Sequence, residues 1–167
     1  MRIHLKVIGL ILLLATGCGI TRQAAGWTAD TYSFAQTDTL LLAAPRPLVV
    51  FLYADWCRYC QHMEQTTFRQ PEVVSLLDSA YYFLPFNGES EAPVFFRDQT
   101  YYFQPTGHGQ GTHQLAEALG STRGQVVYPS LIILNEQQET VFRYQGFLDG
   151  ESLAVILWKV LTDRHRQ

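Results

Sequence analysis

Pro47-Leu48-Val49-Val50-Phe51-Leu52-Tyr53-Ala54 runs directly into Asp55-Trp56-Cys57-Arg58-Tyr59-Cys60. The first eight residues are continuously apolar and rich in Val and aromatics, which suits a short strand buried on both faces. A polar helical pattern follows through about Phe68, with Met63 and Phe68 as its inward candidates. Two cysteines spaced C-x-x-C between such a strand and such a helix form a redox arrangement. Cys57 falls at the helix N-terminus, where free N–H groups and the helix dipole favour a thiolate. Cys60 follows one turn later, within reach of a mixed disulfide formed through Cys57. Arg58 adds a positive charge beside that thiolate.

Outward from this stretch, Pro71 to Leu77 reads as a second helix with Pro in its first turn, and Tyr81 to Phe86 as a second strand. Asn87 to Gln110 mixes Gly, Ser and Pro with the aromatic pairs Phe95-Phe96 and Tyr101-Tyr102, so a small hairpin or ordered insertion is expected. Thr112 to Leu119 reads as a short helix with Thr112 as N-cap and Gly120 as its stop. Ser130–Leu134 and Thr140–Gln145 form a hairpin across the turn 135–138. Leu153, Ile156, Leu157 and Val160 recur at helical spacing in a last helix that starts at Asp149 or Gly150. This order predicts an α/β fold, a mixed central sheet flanked by helices on both sides.

Tyr128-Pro129-Ser130 stands at the mouth of the strand that follows it, a position where an X-Pro bond is a candidate for cis. With strand, W-C-x-x-C and helix in that order, the chain resembles the thioredoxin fold over about residues 45–160. Asp55-Trp56-Cys57, His62-Met63-Glu64, Thr67-Phe68 and Pro71-Glu72-Val73 are similar to two groups in particular. These are the secreted and lipoprotein thioredoxin-fold proteins of Bacteroidetes and the reducing domains of thiol:disulfide interchange proteins. The resemblance implies a cis-Pro loop lying against the two cysteines, with the Tyr128 backbone pairing with substrate and Pro129 keeping stray metal from the sulfurs. It also implies catalytic roles for Cys57 and Cys60, a site shaped by Trp56, Arg58, Tyr59, Tyr128 and Pro129, and no cofactor.

Three departures from the family pattern matter. Phe51 stands where many thioredoxins carry a buried acid, six residues before the nucleophile. Glu64, four residues after Cys60, is then the candidate proton relay. Arg58-Tyr59 is not Gly-Pro, and no His directly precedes Cys60, so the potential stays open across roughly −270 to −120 mV.

Other chemistries weigh less. A purely structural disulfide closing so short a loop removes little chain entropy. A metal site needs ligands beyond the two cysteines; His62, His108 and His113 are available in number only. His108 and His113 flank a glycine-rich tip that reads as a solvated loop or as part of a lip beside the cysteines. No Lys-Ser or Lys-Thr follows those glycines, so the tip is not a phosphate loop. With 12 Lys and Arg against 15 Asp and Glu and no basic run, nucleic-acid binding is not expected.

At the start of the chain, Arg2 and Lys6 precede an apolar run from Val7 to Ala15, too short to span a bilayer. Leu14-Ala15-Thr16-Gly17-Cys18 resembles a bacterial lipoprotein cleavage site, with Ala15 where the usual pattern has Leu. A plain secretory signal is the competing reading. Gly19 is not the Asp of the inner-membrane retention signal. The expected organisation is a signal peptide over 1–17, a tether and N-terminal extension over 18–44, and a thioredoxin-like domain over 45–167 with an insertion at 87–111. The expected setting is the cell envelope, as a periplasm-facing lipoprotein anchored through Cys18, more outer than inner membrane, or else soluble periplasmic or secreted. The expected function is reduction of disulfides in a protein or small-thiol substrate, with electrons from an upstream donor. The alternative is a binding module that holds a peptide or Cu(I) without turnover.

Overall fold

A computed structural model describes residues 27–107 and 110–164; the signal region, Cys18 and His108 lie outside the described residues. The first strand, β1 (Leu48–Tyr53), is central. It pairs in parallel with β2 (Tyr82–Asn87) and antiparallel with β7 (Ser130–Leu134), which pairs antiparallel with β8 (Thr140–Gln145). The sheet order β2-β1-β7-β8 confirms the mixed sheet expected from the sequence. Pro85 falls on β2, an outer strand of the sheet, where a missing N–H is tolerated.

Because side chains alternate across a strand, β1 feeds two cores. Val49 and Phe51 face one way, with Phe83, Leu131 and Ile133. On that side pack α2 (Arg58–Gln65), α3 (Pro71–Ala80) and α5 (Gly150–Arg164), through Met63, Val73, Leu77, Leu153 and Leu157. Leu48, Val50 and Leu52 face the other way, with Leu84, Ile132 and Leu134, and meet α4 (Gln114–Gly120) through Leu115 and Leu119. Helices therefore cover both faces.

The active-site helix is shorter than its polar pattern implies. It ends at Gln65, and Phe68 is buried from a separate 3-10 turn, Thr67–Arg69. The Thr66 hydroxyl bonds back to the His62 carbonyl (2.7 Å) and the Thr67 hydroxyl donates to the Leu148 carbonyl (2.6 Å). These local side-chain bonds compete with helical continuation.

The insertion is two hairpins rather than one. β3 (Val94–Phe96) and β4 (Gln99–Tyr101) turn through Arg97 and Asp98, both at positive φ, as two-residue hairpin loops require. β5 (Phe103–Gly107) pairs with β6 (Gln110–His113). Of the aromatic pairs, Phe96 is buried while Phe95 and Tyr102 stay exposed.

Residues 27–44 pack on the domain. Thr31 bridges to Phe83 in parallel, with the Tyr32 N–H on the Phe83 carbonyl at 2.8 Å. Phe34 is buried against Phe86 and Phe96, and α1 (Thr37–Ala43) follows. Trp27 meets Phe51, Phe68 and Phe83 edge-on at 5.7, 5.4 and 5.4 Å.

Two expectations about α4 are corrected. Its N-cap is His113, not Thr112: the ring Nδ1 accepts the Leu115 N–H at 3.1 Å. Gly120 is the last helical residue, and a Cβ there would overlap Leu52, so close packing accounts for this glycine. His113 is also not on a solvated loop. It is fully buried, its Nε2 contacts the Ala92 carbonyl at 3.2 Å, and its backbone N–H bonds to the Gly88 carbonyl. Burial lowers its pKa, partly offset by Ala92.

Candidate active site

The chain leaves β1 through Ala54, Asp55 and Trp56 and re-enters regular structure at Cys57, the N-cap of α2. The Cys57 N–H bonds to the Ala54 carbonyl at 3.0 Å, and the Gln61 side chain donates to the Asp55 carbonyl at 2.7 Å. Both bonds fix the turn at the sheet end. Cys57 and Cys60 form a disulfide with Cα atoms 5.2 Å apart. The Cys60 backbone N–H donates to the Cys57 sulfur at 3.1 Å. That donor and the positive end of α2 stabilise negative charge on Cys57. Both cysteines are nearly covered, while Trp56 and Tyr59 beside them are mainly exposed. Arg58 is exposed at the first position of α2.

The Tyr128-Pro129 bond is cis. The Pro129 carbonyl accepts the Gly146 N–H at 2.8 Å, which ties this loop to the end of β8. Tyr128 packs against the cluster that contains both cysteines, and its ring meets Trp56 edge-on at 6.1 Å. Its hydroxyl is buried with no hydrogen-bond partner among the described residues. Burial, then Glu89 and Glu117, push the phenol up to about 12. It remains protonated through the physiological range.

Behind Cys60 lies a small cavity of about 170 Å³, lined by Phe51, Tyr53, Asp55, Gln61 and Glu64. Glu64 is half-buried there, and it and Cys60 line one space. Burial raises the Tyr53 pKa, with smaller contributions from Asp55 and Glu64. Phe51, in the place of the family's acid, packs on Phe68 at 4.7 Å.

The expected site residues thus gather at one end of the sheet, apart from Cys18, which is not described. Sequence reasoning missed three others. Phe147 stacks on His62 at 5.4 Å and lies 6.5 Å from Tyr59, extending the aromatic rim. Gly88 lies under Tyr128, where a Cβ would overlap the ring. Glu89 accepts the Trp56 indole N–H. The only sequence signal for the last two is their position just after β2.

Comparison with known proteins agrees with this geometry. The thioredoxin-like domain family matches residues 35–161. A thiol:disulfide interchange protein DsbD from Pectobacterium atrosepticum is 36% identical over 58 residues, which are 35% of this chain and 10% of that protein. The chain thus matches about a tenth of that relative's length. A thioredoxin from Thermus thermophilus superposes with a TM-score of 0.56 at 18% identity, covering 80% of this chain and 87% of the other. The oxidised C-terminal domain of DsbD from Neisseria meningitidis gives a TM-score of 0.51 at 20% identity, over 78% and 98%. The chain belongs to the thioredoxin-like domain family and carries, just past the end of β1, a C-x-x-C disulfide between Cys57 and Cys60.

Proposed function

We propose that the protein is a disulfide reductase of the bacterial cell envelope, acting on disulfides of proteins or small thiols. The observation that carries the reading is the Cys57 sulfur at the N-cap of α2, accepting the Cys60 N–H. In the reduced protein the Cys57 thiolate attacks one sulfur of the substrate disulfide. A mixed disulfide forms and the first substrate thiolate leaves. The Cys60 thiolate then attacks the Cys57 sulfur, the second substrate thiolate leaves, and the Cys57–Cys60 disulfide remains. Two electrons pass to the substrate, so a donor dithiol must return two. Glu64 takes the Cys60 proton across the shared cavity. The Tyr128 backbone pairs with the substrate chain beside Pro129. Anchoring through Cys18, with the domain facing the periplasm, completes the reading.

The test is the reduction potential of the pair, by equilibration with glutathione or dithiothreitol and mass-spectrometric trapping. A value near about −270 mV supports a reductase, and one near about −120 mV makes the protein an oxidant. A pair that does not cycle leaves a binding module for a peptide or Cu(I). Lipidation is tested separately, by the mass of the mature N-terminal peptide with and without Cys18→Ser.

A further inference from the structure

Among the described residues, the first turn of the insertion reaches Trp56, the residue before Cys57. Asn87 to Ser90 is fixed by two hydrogen bonds within the turn and two to other elements. The Glu89 N–H bonds to Asn87 Oδ1 at 2.9 Å and the Ser90 N–H to the Asn87 carbonyl at 3.0 Å. The Gly88 N–H bonds to the Tyr53 carbonyl at 2.9 Å, and the Gly88 carbonyl accepts the His113 N–H at 2.8 Å. Gly88 lets Tyr128 lie directly against this turn. Glu89 is then delivered to Trp56, with the indole Nε1–H 3.0 Å from each carboxylate oxygen. The indole N–H is a neutral donor, so it fixes the carboxylate without cancelling its charge. Trp56 adjoins Cys57 in sequence and meets Tyr128 edge-on, so Glu89 borders both the dithiol and the cis-Pro loop. Among the described residues Glu89 has no ion-pair partner. Arg58, exposed at the first position of α2 two residues past Trp56, is the cation on the opposite side of Cys57 in sequence.

We propose that Glu89 is a specificity-determining residue: the disulfide-bearing segment that docks beside Tyr128-Pro129 carries a Lys, an Arg or another cationic group next to its cysteine. The inference rests on the oxidoreductase reading above and adds a substrate class to it. Opposite charges about 7 Å apart at a wet rim attract by enough to change a rate about three- to fourfold, and like charges repel by as much. The preference for a cationic over an anionic partner is then about tenfold at low salt, and it collapses once salt screens the pair.

The experiment uses the reduced full-length chain and three disulfide-linked peptides that differ only in Lys, Ser or Glu beside the cysteine. Second-order rates are followed by quenching and mass spectrometry. The Lys peptide should react about tenfold faster than the Glu peptide at low salt, with a ratio near one in 0.5 M salt. Glu89→Gln retains a carbonyl for the Trp56 N–H and should bring the ratio close to one. The readout is a ratio, so a general loss of rate cancels. Equal rates for the Lys and Glu peptides, or an unchanged ratio in Glu89→Gln, overturn the selection alone. A reduced chain that leaves all three peptides intact overturns the oxidoreductase reading, and the selection with it.

Discussion

His113 should make folding stability depend on pH with a sign the structure fixes. The ring is fully buried and joins the insertion to the domain through the Leu115 N–H and the Ala92 carbonyl. With Nδ1 accepting and Nε2–H donating, the ring is neutral. A second proton would turn Nδ1 into a donor facing the N–H groups at the start of α4. The folded pKa is lowered from 6.5, by burial first. The unfolded chain therefore binds the proton more readily. His113 contributes its full stability above about pH 6.5 and loses it as pH falls from there toward the folded value, below which the loss levels off. Within that window one proton changes stability by at most about 1.4 kcal/mol per pH unit. For a urea m-value of about 2 kcal/mol/M, that moves the midpoint by about 0.7 M per pH unit. Urea unfolding of the oxidised protein between pH 7.5 and 5 measures it, with His113→Asn as reference because Asn caps a helix but does not titrate. His113→Asn should be less stable at pH 7.5 by about 1–3 kcal/mol, for the lost bond to Ala92 and the altered packing. The two stability curves should converge as pH falls. Parallel curves would refute the neutral, buried capping role, since carboxylate titration is common to both proteins and subtracts out.

Cys60→Ser should accumulate a mixed disulfide through Cys57, visible as a mass adduct, while Cys57→Ser should form none and reduce no disulfide. Glu64→Gln should slow resolution of that mixed disulfide while leaving the first attack within about twofold. Stopped-flow traces that separate the two steps check this, and an equal slowing of both steps would remove Glu64 from the relay. Trp27→Ala should cost about 3 kcal/mol, read as a lower urea midpoint, because it empties the space between Phe51, Phe68 and Phe83. A loss under about 1 kcal/mol would mean that residues 27–44 add little to the domain.

The parts legible in the sequence are those written in local pattern. The apolar run of β1 needs neighbours on both faces, and W-C-x-x-C after it names the chemistry. Pro71 starts α3, the turn 135–138 joins β7 to β8, and Leu153 and Leu157 mark the inner face of α5. The parts not legible depend on contacts between distant segments. Thr112 is a better intrinsic cap than His113, yet His113 caps, because burial beside Phe86 keeps its ring neutral and its Nδ1 free to accept. Trp27 has no local pattern around it, and only the fold brings Phe51, Phe68 and Phe83 to it from three other elements. Glu89 is one of several acids near the insertion, and only the turn that binds Gly88 to Tyr53 and His113 aims it at Trp56.

Phe51, Trp27 and Glu64 form one connected substitution of the family's site. A carboxylate at position 51 would be enclosed by Trp27 at 5.7 Å and Phe68 at 4.7 Å. Burying a charge in such aromatic surroundings costs several kcal/mol, or forces the group to stay protonated. Phe51 avoids that cost, and the same ring gives the N-terminal segment an apolar surface to dock on. In the proposed cycle Cys60 gives its proton to Glu64, which α2 places at the wall of the cavity rather than beneath the sheet. The acid is then half-solvated and reachable by buffer, which suits a group that must release its proton after each turnover. In this chain the strand position serves packing, and the proposed cycle assigns acid–base work to the helix that already carries both cysteines.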